Sequence, residues 1–179
     1  MPLRHRSVVW KILLGYVPLS IARREAFLAK KKTEYEEFVR RYLGIGVRRD
    51  EDIYHQVSID VPRTCPEEAL FRQNVVRECL IRILYCHSIR RPASGYVQGM
   101  NDLATPLFHA MLRDHFISGQ IIISPDQLLQ VEADVFWCLG KLLDAVQDNY
   151  TFNQAGLYRQ INGLKTIIQR ADRITISLY

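Results

Sequence analysis

The chain has 179 residues, 48% of them hydrophobic and 24% charged, with nine Gly and seven Pro. That balance fits one folded domain and excludes a disordered tail, a collagen-like fibre or a low-complexity linker. The net charge of +5, gathered in runs such as Lys30-Lys31-Lys32 and Arg90-Arg91, suits nucleic acid, anionic lipid or an acidic partner, or simply solvated helix faces.

No apolar run approaches the roughly 18 residues of a membrane-spanning helix. Arg4, His5 and Arg6 followed by Val8-Val9-Trp10 and Ile12-Leu13-Leu14 imitate a secretory leader. Lys11 interrupts that stretch and Pro18 closes it, so it reads as a short helix capped by Ser7 and ended by Gly15. Residues 21–43 form a long helix after Ser20, with Ile21, Phe27, Leu28, Tyr35, Phe38, Val39, Tyr42 and Leu43 as its apolar positions and Gly44 and Gly46 at its end. The triple lysine is placed for i,i+4 pairs with Glu34, Glu36 and Glu37.

A short helix is expected over 50–59, then a stiff turn between Pro62 and Pro66. A helix follows over 67–88, with Pro66 at or beside its first position and Glu67-Glu68 favourable to its dipole. Cys79 and Cys86, seven apart, share its core face. The four cysteines (65, 79, 86 and 138) lack CxxC spacing, which predicts neither a zinc site nor a disulfide framework and suits a reducing compartment. After a loop at 90–95, a helix runs from about 98 to 116, kinked or started late by Pro106, and His109 on it reads as a core or boundary histidine. Residues 117–127 are a loop or short extended piece, 128–147 and roughly 154–170 are helices, and only Ile174–Leu178 alternates with period two. The fold class is all-α, a multi-helix domain.

Self-contained chemistry is not expected. There is no GxxxxGK[ST], HExxH or GxSxG, and no two of the five histidines stand four apart. Two loops stand out instead. In Val57-Ser58-Ile59-Asp60-Val61-Pro62-Arg63-Thr64, prolines at 62 and 66 hold Arg63 on a stiff mount, and Asp60 can fix the loop or orient the guanidinium. Such an arginine suits charge growing on a phosphoryl group; the plain alternative is a surface arginine in a turn before a helix. In Gly95-Tyr96-Val97-Gln98-Gly99-Met100-Asn101-Asp102, glycines flank a Tyr-x-Gln. The amide of Gln98 can hold a water and a phosphate at once, or be incidental to a helix-capping loop.

Taken together the two loops resemble one family. Val57-x-x-Asp60-x-x-Arg63 is similar to the IxxDxxR motif of the TBC (Tre–Bub–Cdc) domain, with Val where the motif has Ile, and Tyr96-x-Gln98 is similar to its YxQ motif. The segment from Arg6 to Pro18 resembles its opening RxxVWKxLLGYxP, and Arg91–Gly99 resembles the member-twenty-two branch. The likeness covers residues 4–170, leaving 171–179 as a tail that does not resemble the family.

The resemblance implies an all-helical GTPase-activating module for Rab-type small GTPases in vesicle trafficking. It makes Arg63 an arginine finger and Gln98 a glutamine finger, both supplied in trans. Asp60 would support the arginine loop, and Tyr96 and Gly99 would shape the glutamine loop, with Asn101 and Trp10 structural. GTP and Mg²⁺ would belong to the partner, the chain needing no cofactor of its own. The place implied is the cytosol and the cytoplasmic face of endomembranes, the Golgi among them.

Against the family pattern the domain reads as incomplete at its C-terminus. Open apolar faces are therefore expected on the 67–88 and 128–147 helices, with lower stability and activity than a complete domain. The rival functions are a non-catalytic module that binds a Rab or an adaptor, and a basic nucleic-acid binder, which the interspersed Glu clusters disfavour.

Overall fold

The computed structural model describes residues 6–117, 120–146 and 155–171; the alternating stretch at 174–178 lies outside them. Among the described residues are seven α-helices: α1 (Arg6–Leu13), α2 (Ile21–Leu43), α3 (Glu51–Asp60), α4 (Asn74–Arg90), α5 (Met100–Leu112), α6 (Pro125–Ala145) and α7 (Ala155–Ala171). The expected loop after α5 holds a minimal antiparallel pair, β1 (Phe116–Ile117) and β2 (Gln120–Ile121). The all-α reading stands.

α6 is the spine, packed on α2, α4 and α5. It begins at a full capping box: Ser124 Oγ accepts from the Gln127 N–H (3.3 Å) and Gln127 Oε1 accepts from the Ser124 N–H (3.2 Å). With Pro125 in the first turn, the helix starts three residues ahead of the expected 128. Its Glu132 is buried and joins three helices, accepting from Tyr35 Oη of α2 (2.6 Å) and from both Nε and Nη2 of Arg82 of α4 (2.7 Å each). Burial, then the neighbouring Glu132, push the Tyr35 phenol well above its usual range, so it stays a donor. Two residues on, Asp134 accepts from Lys11 Nζ of α1 (2.8 Å) and Tyr16 Oη (2.9 Å). The lysine that interrupts the leader-like stretch is thus the one that pins α1.

The helix expected over 67–88 is α4, over 74–90. Residues 65–73 instead make successive tight turns, with N–H···O bonds from Glu68 to Cys65 (3.0 Å), Phe71 to Glu68 (3.1 Å) and Gln73 to Leu70 (3.3 Å). Leu70 and Phe71 are both buried on these turns. Tertiary burial overrides the local pattern, and Pro66 and Glu67-Glu68 lie in turns rather than at a helix start. Cys79 and Cys86 are buried in the core as expected, and all four cysteines are free. α5 ends at Leu112, a 3₁₀ turn over Arg113–His115 replacing its expected last turn. His109 is a boundary residue, 3.8 Å from Glu68; the core histidine is His87.

The triple lysine also departs from expectation. Lys31 pairs with Glu34 at i,i+3 (2.6 Å) and sits 4.1 Å from the Trp137 ring centroid, while Lys32 reaches Asp126 of α6 (2.6 Å). Packing of α2 on α6 offers partners nearer than the next helical turn. Arg90, read as part of a solvated face, lies 3.8 Å over the Phe38 ring. α4 and α6 are well covered, contrary to expectation; the largest set of exposed apolar side chains on one helix is on α7, among them Tyr158, Leu164 and Ile167, with Leu13, Leu19, Ile21 and Ile45 exposed elsewhere.

Candidate functional site

Val57 and Val61, one helical turn apart, are both buried and anchor the end of α3 and the 3₁₀ turn Val61–Arg63 that follows. With that side committed to the core, Pro62 and Arg63 are left exposed. Thr64 closes the turn: its N–H bonds to Val61 O and its Oγ1 donates to Asp60 O, each at 3.1 Å. The Arg63 guanidinium has no hydrogen-bond or ion-pair partner among the described residues. The Asp60 carboxylate turns to Tyr96 rather than to the Arg63 guanidinium.

The second loop bends at two glycines in the left-handed region, Gly95 (φ +59°) and Gly99 (φ +94°). Gly99 is the N-cap of α5, and the Met100 N–H bonds back to Val97 O at 3.1 Å. The tight turn buries Met100 and leaves Gln98 exposed. A side chain at 99 would meet no atom within 4 Å, so only backbone conformation demands glycine there.

Side chains flanking Arg63 and Gln98 join the two loops. The Tyr96 hydroxyl donates to Asp60 Oδ2 at 3.0 Å, and Asn101 Nδ2 donates to Thr64 Oγ1 at 2.9 Å. Asn101 Oδ1 accepts the Gly99 N–H at 3.2 Å. Burial first, and the Asp60 carboxylate second, raise the Tyr96 phenol far above its ordinary range, so it donates at any working pH. The result is a cross-braced patch with an arginine and a glutamine free at its surface. Thr64 was missed from the sequence; a hydroxyl held between two prolines next to Arg63 was the only sign of it. Asn101, read as structural, is the hub of the bridge. Among the described residues no group of three or more His, Cys, Asp or Glu is placed to hold a metal ion.

The model of the Rab-GTPase-TBC domain family matches residues 3–175. The chain belongs to the TBC family. It is 42% identical over 182 residues to GTPase-activating protein GYP1 of Saccharomyces cerevisiae and 41% identical over 179 residues to human TBC1 domain family member 22B, with 96% of this chain covered in each case. It spans 29% and 35% of those two relatives' own lengths. The crystal structure of the Ypt/Rab-GAP domain of Gyp1p superposes with a TM-score of 0.84 at 41% identity, over 97% of this chain and 57% of that one. The TBC fold therefore presents the braced patch on a scaffold shared with a solved Rab-GAP domain. No described helix is long and apolar enough to cross a membrane.

Proposed function

We propose that this chain stimulates GTP hydrolysis by a Rab-type small GTPase, with Arg63 and Gln98 entering the partner's nucleotide pocket from one surface. The observation that carries this reading is the bridge of Asp60 to Tyr96 and Thr64 to Asn101, which braces the mounts of two exposed and otherwise idle side chains. A guanidinium offers five N–H donors in a planar fork to charge building on the transferring phosphoryl group. A Gln amide can accept from the attacking water while donating to a phosphate oxygen, which aligns the water for in-line attack. GTP and Mg²⁺ come with the partner, so this chain supplies charge and geometry and needs no cofactor of its own. The working place is the cytoplasmic face of an endomembrane carrying the Rab, the Golgi among them.

An arginine finger supplied in trans is worth about 10³–10⁵ in rate. Single-turnover hydrolysis across a panel of GTP-loaded Rabs tests the proposal, using the chain and its Arg63→Ala, Arg63→Lys and Gln98→Ala variants. Arg63→Ala and Arg63→Lys should each remove most of the stimulation without loss of helical content, because the side chain is exposed; lysine keeps the charge but not the fork. Unimpaired stimulation by Arg63→Ala would overturn the mechanism. Binding to a Rab without any turnover by the parent chain would replace it with the non-catalytic binding module.

A further inference from the structure

We infer that Thr64 and Asn101 are positioning residues: their buried hydrogen bond fixes the spacing between Arg63 and Gln98. This rests on the GTPase-activating reading above.

The strut runs from backbone to backbone through two short side chains. Asp60 O accepts from Thr64 Oγ1 (3.1 Å), Thr64 Oγ1 accepts from Asn101 Nδ2 (2.9 Å), and Asn101 Oδ1 accepts from the Gly99 N–H (3.2 Å). One end lies three residues before Arg63 and the other lies directly after Gln98. Thr64 is 1% exposed and Asn101 7%, so water does not compete for these groups. Each residue type is used to capacity. Thr64 both donates and accepts through one oxygen, which in this turn only Ser or Thr can do. The second Nδ2 hydrogen of Asn101 faces Asp102 Oδ1 at 3.2 Å. An Asp at 101 would lack both donors, and a Gln would be a methylene too long.

Apolar packing would hold the loops together at lower desolvation cost, but it is non-directional and tolerates sliding. A satisfied polar chain of short side chains rigidifies one arrangement. Two groups that must converge on one phosphoryl centre need that, since a misplacement of 1 Å can cost about 100-fold in rate.

The test compares Thr64→Val, which is isosteric but lacks the hydroxyl, with Thr64→Ser, which retains it, in the 179-residue chain. One arm measures stimulated single-turnover hydrolysis against chain concentration on a Rab that the parent chain activates. Thr64→Val should lower the maximal rate by about 10–100-fold with half-saturation changed less than about two-fold, and Thr64→Ser should recover to within about three-fold of the parent. A second arm reads amide hydrogen exchange at Gly99, which Thr64→Val should speed by about ten-fold or more and Thr64→Ser should not. Equal impairment by both variants, or a full maximal rate together with unchanged Gly99 exchange in Thr64→Val, overturns the inference. If the parent chain activates no Rab, the functional reading fails by itself, and the exchange arm still decides the strut.

Discussion

The Tyr96 hydroxyl and the Asp60 carboxylate meet at 3.0 Å although 36 residues separate them in the chain. They approach because α3 ends and α5 begins on the same edge of the bundle, and each lies three residues or fewer from Arg63 or Gln98, the exposed side chains proposed to act on the partner. Replacing Tyr96 by Phe keeps the ring and its packing but leaves Asp60 Oδ2 without this donor. A hydrogen bond to a charged group contributes about 1.5–3 kcal/mol, discounted here because both residues are only partly buried. The expected result is a loss of about 1 kcal/mol in urea unfolding and a clear fall in stimulated hydrolysis.

Gly99→Ala tests backbone strain alone. The position has φ +94° and room around the missing Cβ, so the substitution costs about 1–2 kcal/mol through conformation rather than collision. Gly99→Asn should cost less, since Asn enters the left-handed region more readily. Equal unfolding midpoints for Gly99→Ala and the parent chain would contradict this account.

Glu132 is the most committed carboxylate in the core. Its side chain is 3% exposed while that of Arg82 is 31% exposed. Glu132→Ala strands a guanidinium and a phenol, and removal of one partner from a buried pair costs about 3–5 kcal/mol. The part of Arg82 still in water places the outcome at the low end of that range. Replacing Arg82 and Glu132 together by Met and Leu should cost less than Glu132→Ala alone, measured by urea unfolding.

Stability should fall as solution is acidified from pH 6.5 towards 4. Burial, helped by the nearby Arg91 and Arg90 and opposed by Asp144, lowers the His87 pKa from 6.5 to about 4. The unfolded chain binds the proton below 6.5 and the folded chain only near 4. The contribution of neutral His87 is therefore complete above pH 6.5 and is lost progressively through that window. The shift corresponds to roughly 3 kcal/mol. Unfolding free energies measured from pH 4.5 to 7 should show this slope, and His87→Leu should flatten it.

How much could be read without coordinates depended on where each signal resides. The span 21–43 was legible because Ser20 and Gly44 mark its limits locally. The turns at 65–73 were not, because Leu70 and Phe71 mimic a helical apolar face and turns bury them just as well. The start of α6 was hidden in a cap that precedes the apolar pattern. At the site, Arg63 and Gln98 stood out because stiff and glycine-rich turns are written in consecutive residues. The Thr64–Asn101 bond joins positions 37 apart and exists only once α3 and α5 are neighbours. His87 looked like any of five scattered histidines until Phe136 of α6 packed against its ring.

α1 contains no fully buried residue and is tied to α6 by the Lys11–Asp134 pair. Its hold on the bundle is thus its packing on α5, through the partly covered Trp10 and Ile12, plus this one ionic clasp. Such a segment opens sub-globally, at a free energy well below that of complete unfolding. Raised ionic strength weakens the clasp only modestly, because its ends are largely sheltered from solvent ions, whereas Asp134→Asn would release the first eight-residue helix while the remaining bundle stays cooperative.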